Sequence, residues 1–271
     1  MKQFEVPYNF APDFISTFSE SPHLDYIKFF YVPSFSSNNN TSTRADVRFK
    51  FGYPQTFEEY TKHIFSLQRL APVCILLQNN ATYEDVFLYY ALGIRYFILR
   101  DDVLAKTLKE KYPDIHLYLS IVRKITAEEI HTMDFSMYDE IVLFFWFNRH
   151  LDVIKQLPKK YKYCILVNGI CYYKCDRCTE HWFLNADTLD EFINKELEII
   201  KFCDDKRKDL QQTIAINPED LSLFEPYVNS YKLVDRQAPT KTIITDFHRY
   251  LDKVLYPVDN RHTEDYYNLK D

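Results

Sequence analysis

Cys171, Cys175, Cys178 and His181 fall within eleven residues, in the run Val-Asn-Gly-Ile-Cys171-Tyr-Tyr-Lys-Cys175-Asp-Arg-Cys178-Thr-Glu-His181. Thiolates and an imidazole at such spacing are the donors that zinc and iron–sulfur clusters use. Gly169 precedes the first cysteine and is one of only three glycines in the chain. A sharp backbone turn there would aim several side chains at one point. Cys203 is the fourth cysteine of the same region, while Cys74 and Cys164 sit inside apolar runs and read as core residues.

Three readings of the cysteines stay open. On a helix, Cys171, Cys175 and Cys178 would share one face and could simply pack as small apolar groups. Against this stand Lys174, Asp176, Arg177 and Glu180 between them, which place the segment at the surface. A closed zinc site from Cys171, Cys175, Cys178 and His181, or with Cys203 in place of one of them, satisfies four-coordinate chemistry. The preferred reading is a [4Fe-4S] cluster on Cys171, Cys175, Cys178 and Cys203, with His181 as the alternative ligand. Cys203 reaches the cluster only if the helix before it packs across the same rim. The C-x3-C-x2-C spacing is also similar to that of radical S-adenosylmethionine enzymes, but here it lies late in the chain and the glycine-rich stretch is missing.

The elements that must position these residues are legible as an alternation. Apolar, β-branched or aromatic runs at Phe4–Tyr8, Tyr26–Val32, Val73–Leu77, Ile94–Leu99, His116–Val122, Glu140–Phe144, Tyr163–Val167, Thr213–Ile216 and Ser230–Val234 read as strands. Between most of them lie helical patterns with start signals. Thr56-x-x-Glu59, Thr82-x-x-Asp85, Thr126-x-x-Glu129 and Thr188-x-x-Glu191 read as capping boxes, and Asn217-Pro218 as a cap before a first-turn proline. Parallel strands need such helical crossovers, so the expected fold is α/β, a (β/α)8 TIM-barrel-like single domain over residues 1–256, with an open doubly wound sheet as the alternative. Nine runs for eight strands leave one in excess. Residues 257–271 read as a C-terminal tail, and the Asn-rich stretch at 34–43 as a loop.

In such barrels function gathers on loops after the strands. His181, Glu219 and Arg236 are therefore the candidate catalytic groups. Arg236 beside Asp235 could clamp a carboxylate or phosphate, or form an ordinary ion pair. Glu219 and Asp220 could serve as acid/base groups, though a first helical turn favours acids for electrostatic reasons alone. No phosphate-binding Gly-rich loop and no His-Glu-x-x-His zinc helix is present. A net charge of -6 argues against coating nucleic acid by basicity. With 22 Tyr and 22 Phe, aromatic rings could stack on a base or quinone, with core packing the default. The start of the chain lacks the layout of a secretion signal, and no apolar run approaches the roughly 18 residues of a spanning helix. The expectation is a cytoplasmic protein with no membrane span.

Taken together, Val167-Asn168-Gly169-Ile170-Cys171 with Cys175 and His181, then Ile216-Asn217-Pro218-Glu219-Asp220-Leu221, then Lys232-Leu233-Val234-Asp235-Arg236, resemble the core of the bacterial collagenase-like peptidase family. The resemblance implies a barrel, and relatives that bind a [4Fe-4S] cluster through four cysteines and serve oxygen-independent hydroxylation of ubiquinone precursors or RNA bases. Cys171 and Cys178 match a cysteine pair of those members, Cys175 suits other members, and Cys203 would be a further ligand. The implied role is an enzyme or enzyme subunit, acting on a small molecule or RNA with a possible partner subunit. The alternatives are a zinc-stabilised binding protein without catalysis, and a peptidase. Val-Asp-Arg stands where relatives have Glu-Gly-Arg, a departure at the substrate contacts.

Overall fold

The computed structural model describes residues 3–35, 53–77, 81–169, 171, 175, 177, 180–181, 188–206, 213–234 and 238–253. Eight parallel strands close into a barrel in chain order: β1 (Gln3–Pro7), β2 (Ile27–Pro33), β3 (Val73–Leu76), β4 (Tyr96–Leu99), β5 (His116–Leu119), β6 (Glu140–Val142), β7 (Tyr163–Leu166) and β8 (Ser230–Lys232). β1 pairs with both β2 and β8, which closes the ring. The described α-helices are α1 (Phe14–Ser19), α2 (Phe57–Gln68), α3 (Tyr83–Ala91), α4 (Asp102–Lys111), α5 (Ala127–Thr132), α6 (Leu151–Gln156), α7 (Leu189–Lys206), α8 (Leu221–Phe224) and α9 (Thr240–Asp252), with short 3-10 turns between some of the elements. Because each strand is buried on both faces, its sequence is apolar nearly throughout, as the runs implied.

The helix starts follow from their caps. Thr82 and Thr126 make complete capping boxes with Asp85 and Glu129. The Thr56 and Thr188 hydroxyls accept from the Glu59 and Glu191 amides at 3.1 and 3.2 Å. Each such cap contributes about 1 kcal/mol. The first turns therefore begin where the threonines stand.

Alternation along the strands divides the core in two. On β1, Phe4 and Val6 join the large cluster outside the barrel, beneath the helices, while Glu5 points into the lumen. The lumen packs Phe29, Tyr31, Cys74, Ile98 and Tyr118 on one side, and Val142, Cys164 and Leu166 on the other. Burial pushes both thiols up, so Cys74 and Cys164 are inert core residues, as expected.

Between these apolar walls runs a chain of charges. Phe4 pairs with Ile27 but Glu5 with Phe29, so Lys28 is the extra residue of a β-bulge, and its ammonium enters the lumen. Lys28 donates to Glu5 at 3.2 Å, to Ser230 at 3.3 Å and to Glu140. Lys232 donates to the other Glu5 oxygen at 2.7 Å, and Ser230 to Glu140 at 2.8 Å. From the C-terminal mouth downward the order is Lys232, Glu5, Lys28, Glu140. Sequence reading missed this ladder, although a charge inside a two-sided buried strand is a readable signal.

One expected strand does not belong to the barrel. Residues 213–216 run back along the extension of β7, with the Ile216 amide donating to Val167 at 2.9 Å and the Ile214 amide to Cys171 at 3.0 Å. The apolar pattern was right about burial, but pattern alone does not choose a partner strand. This corrects the placement of Asn217–Asp220, which begin the short helical layer before β8 rather than a loop after a barrel strand; Glu219 is exposed there. Residues 36–43 of the expected loop and the whole 257–271 tail lie outside the described residues.

Candidate functional site

β7 leads into Val167-Asn168-Gly169 at the C-terminal mouth. The Asn168 side chain accepts from the Val234 amide at 2.7 Å and donates to Asp246 of α9 at 3.0 Å. It ties the ends of β7 and β8 to one helix. The Tyr250 hydroxyl, also from α9, lies 2.6 Å from the Val167 carbonyl and 2.9 Å from that of Ile216. The root of the cysteine loop is thus held from outside the barrel.

Gly169 is needed for a close approach. A Cβ there would stand 2.7 Å from Ile214 Cδ1 and 3.1 Å from Cγ1. Ile214 is buried against Phe145 and has little room to yield. We expect Gly169→Ala to cost about 1–3 kcal/mol, as overpacking does. Adding Ile214→Val, which removes Cδ1, should recover part of the loss in denaturant unfolding. Strict additivity of the two changes would show that the close approach is not what requires glycine.

Phe145 and Ile214 form the floor on which Cys171 and Cys175 both pack, partly exposed. The floor is fixed from below by the 3-10 turn Phe145–Arg149 after β6. Buried Asn148 donates to Leu166 at 2.6 Å and to Ile214 at 2.7 Å, and the fully buried Arg149 donates to the Thr213 carbonyl. Sequence reading missed this turn. Its signal is the polar pair Asn148-Arg149 inside an aromatic run.

The loop is also clasped to α7. Arg177 grips Glu180 with both arms at 2.6 and 2.8 Å, reaches Glu198 at 3.2 Å and lies 5.4 Å over the Phe202 ring. These carboxylates hold the guanidinium firmly charged, and Arg177 in turn lowers the Glu180 carboxyl. Helix α7 therefore packs back against the cysteine loop, the condition under which Cys203 could contribute. His181 follows on the same turn, its amide bonded to the Arg177 carbonyl at 3.0 Å.

Of the site residues expected from sequence, Cys171 and Cys175 come together on one floor and His181 lies further along the loop. Cys203 is placed within α7 by backbone alone. Cys178, Asp235 and Arg236 lie outside the described residues. Glu219 is exposed in the 3-10 turn Pro218–Asp220 that follows the returning segment. Among the described residues no group of three or more His, Cys, Asp or Glu side chains is arranged to hold a metal ion. No helix among them is long and apolar enough to cross a membrane.

Neither a protein-family model nor a curated protein matches the sequence. Among solved structures, one described as a U32 peptidase is similar with 13% identity and a TM-score of 0.48, over 88% of this chain and 95% of that chain. The fold assignment rests on the strand pairing described above.

Proposed function

We propose that the loop after β7 holds an iron–sulfur cluster through Cys171, Cys175, Cys178 and Cys203, and that the chain is an enzyme, or a subunit of one, in oxygen-independent modification chemistry of the hydroxylation type. The observation that carries this reading is the shared floor. Two thiols rest on the same apolar pair, Phe145 and Ile214, while Arg177 binds their loop to α7 one residue before Cys203. Such a floor shields one side of a centre from water, and partly exposed thiols are available as ligands.

The donor set fits the group by its chemistry, since thiolates are what such clusters take. A bound cluster would supply one-electron chemistry at the mouth of the barrel. The chain's own residues set the position: Gly169 leaves room for Ile214 of the floor, Asn168 fixes the strand ends, and Arg177 clasps the loop to α7.

Anaerobic purification with iron, sulfide and zinc analysis tests the proposal. The expected product is a brown protein containing iron and acid-labile sulfide, and Cys171→Ser and Cys203→Ser should each lose the colour while the far-ultraviolet circular dichroism stays unchanged. Stoichiometric zinc in a colourless protein would replace the cluster by a structural site. A metal-free chain with inert thiols would remove both readings.

A further inference from the structure

The ladder of charges in the lumen is unequal at its two ends. Lys28, near the start of β2, gives its ammonium three oxygen acceptors: Glu5, Glu140 and Ser230. An ammonium has three donors, so Lys28 is saturated. Lys232, the last residue of β8, has one oxygen acceptor among the described residues, Glu5 Oε2, and otherwise lies 3.7 Å over the Tyr31 ring. Tyr31 is fixed in turn by its hydroxyl, which donates to the Leu233 carbonyl at 2.8 Å. The Lys232 side chain keeps 8% of its surface accessible, while Glu5 keeps none.

The sign of the field follows from the order of charges. Alternation from the C-terminal mouth downward begins with Lys232 and ends with Glu140, which makes the mouth the positive end. In a barrel whose strands and helices alternate, the N-termini of the helices lie at the same mouth and add positive potential. Glu5 is divided between two lysines, so Lys232 holds only part of a counter-charge. Burial disfavours the charged ammonium, but Glu5 and then Tyr31 outweigh it and keep the lysine cationic.

We infer that Lys232 is an oxyanion-binding residue, which takes a carboxylate or phosphate group of a small ligand entering at the C-terminal mouth, with the Tyr31 ring as the wall beside it. This goes beyond the cysteine centre and does not depend on it. A protein that holds no cluster would still bind the anion. The place suits a substrate, because lumen residues at the C-terminal ends of strands face the catalytic mouth of such barrels.

The test is carried out on the full chain, with benzoate as the carboxylate and inorganic phosphate as the second arm, at constant ionic strength set by chloride. With lysines carbon-13 labelled at Cε, the Lys232 resonance is assigned as the one missing from the spectrum of Lys232→Met. It should move saturably with at least one of the two anions, and whichever does so names the group. Lys232→Met should weaken the calorimetric affinity about tenfold or more, the loss of one charge-assisted hydrogen bond. Since that variant leaves Glu5 with a single lysine, Glu5→Gln combined with Lys232→Met supplies a neutral pair of similar shape, and it too should lose binding. A Lys232 resonance indifferent to both anions, or unchanged affinity in the variants that fold, overturns the inference.

Discussion

Glu5→Gln is expected to destabilise the barrel by about 3–5 kcal/mol, the usual cost of breaking a buried ion pair by removing one partner. Glutamine keeps the shape of the side chain, so little of this loss is packing. What remains is Lys232 with no carboxylate and Lys28 with Glu140 alone, two ammonium groups surrounded by Phe29, Tyr31 and Tyr118. Denaturant unfolding near neutral pH measures the effect, and a loss under about 1 kcal/mol would mean that water or backbone rearrangement solvates the lysines.

The dependence on pH separates this cause from others. In the wild type, burial alone would raise the Glu5 carboxyl, but Lys232 and Lys28 outweigh it and hold it below the ordinary carboxylate range. A depressed carboxyl contributes stability above its unfolded value, and this contribution is lost as pH falls through the folded one. Lys232 is raised, so its contribution is complete below the ordinary lysine value and is lost as pH rises through the folded one. The wild type should therefore show a broad plateau between these ranges. In Glu5→Gln the sign reverses for Lys232. With its carboxylate gone, burial lowers the lysine, the folded state binds fewer protons than the unfolded one, and stability should climb with pH below the ordinary lysine range. A variant whose stability stays flat with pH in that interval would show that the lysine charge is not the origin of the loss.

Asn148→Ala should be the next largest loss, and its effect should be local as well as global. The Asn148 amide satisfies two buried carbonyls, Leu166 at the end of β7 and Ile214 in the returning segment. Leaving a buried acceptor without its donor costs about 1–3 kcal/mol for each group. Those carbonyls belong to the strand end below the cysteine loop and to the floor on which Cys171 and Cys175 rest, so the variant should also loosen the loop. Amide exchange at Ile214 and Ile216 should accelerate more than exchange in β2 or β3, and the thiols of Cys171 and Cys175 should react faster with a maleimide. Equal acceleration across the whole barrel would place the loss in global stability and deny Asn148 a role in holding the floor.

These effects bear on the proposed cysteine centre because position, rather than donor type, is what the surrounding residues supply. The Asn168 ties to Val234 and Asp246, the Gly169 contact with Ile214 and the clasp of Arg177 on Glu198 and Phe202 all act within a short stretch after β7. Each constrains the loop from a different element. A loop fixed from β8, α9, the returning segment 213–216 and α7 is pre-organised, and pre-organisation would lower the entropy lost in gathering the proposed ligands.

Read from the sequence alone, the strands and helices of the barrel were already determined: eight of the nine apolar runs became the eight strands within a residue or two at most ends, and the threonine caps opened the helices where they stand. Those signals are short-ranged, set by side-chain periodicity and by hydrogen bonds within one turn. The buried state of Cys74 and Cys164 was legible for the same reason, whereas Gly169, expected to make a sharp turn, instead gives room to the Ile214 side chain. Only the tertiary structure decided that residues 213–216 return along β7, that Arg177 meets Phe202, and that Glu5, Lys28, Glu140 and Lys232 form one ladder. These depend on which distant segments become neighbours. Closure of the ring brings β1 beside β8, and a one-residue bulge turns Lys28 inward. Neither event leaves a mark in local periodicity, because a partner strand is chosen by the free energy of the whole barrel.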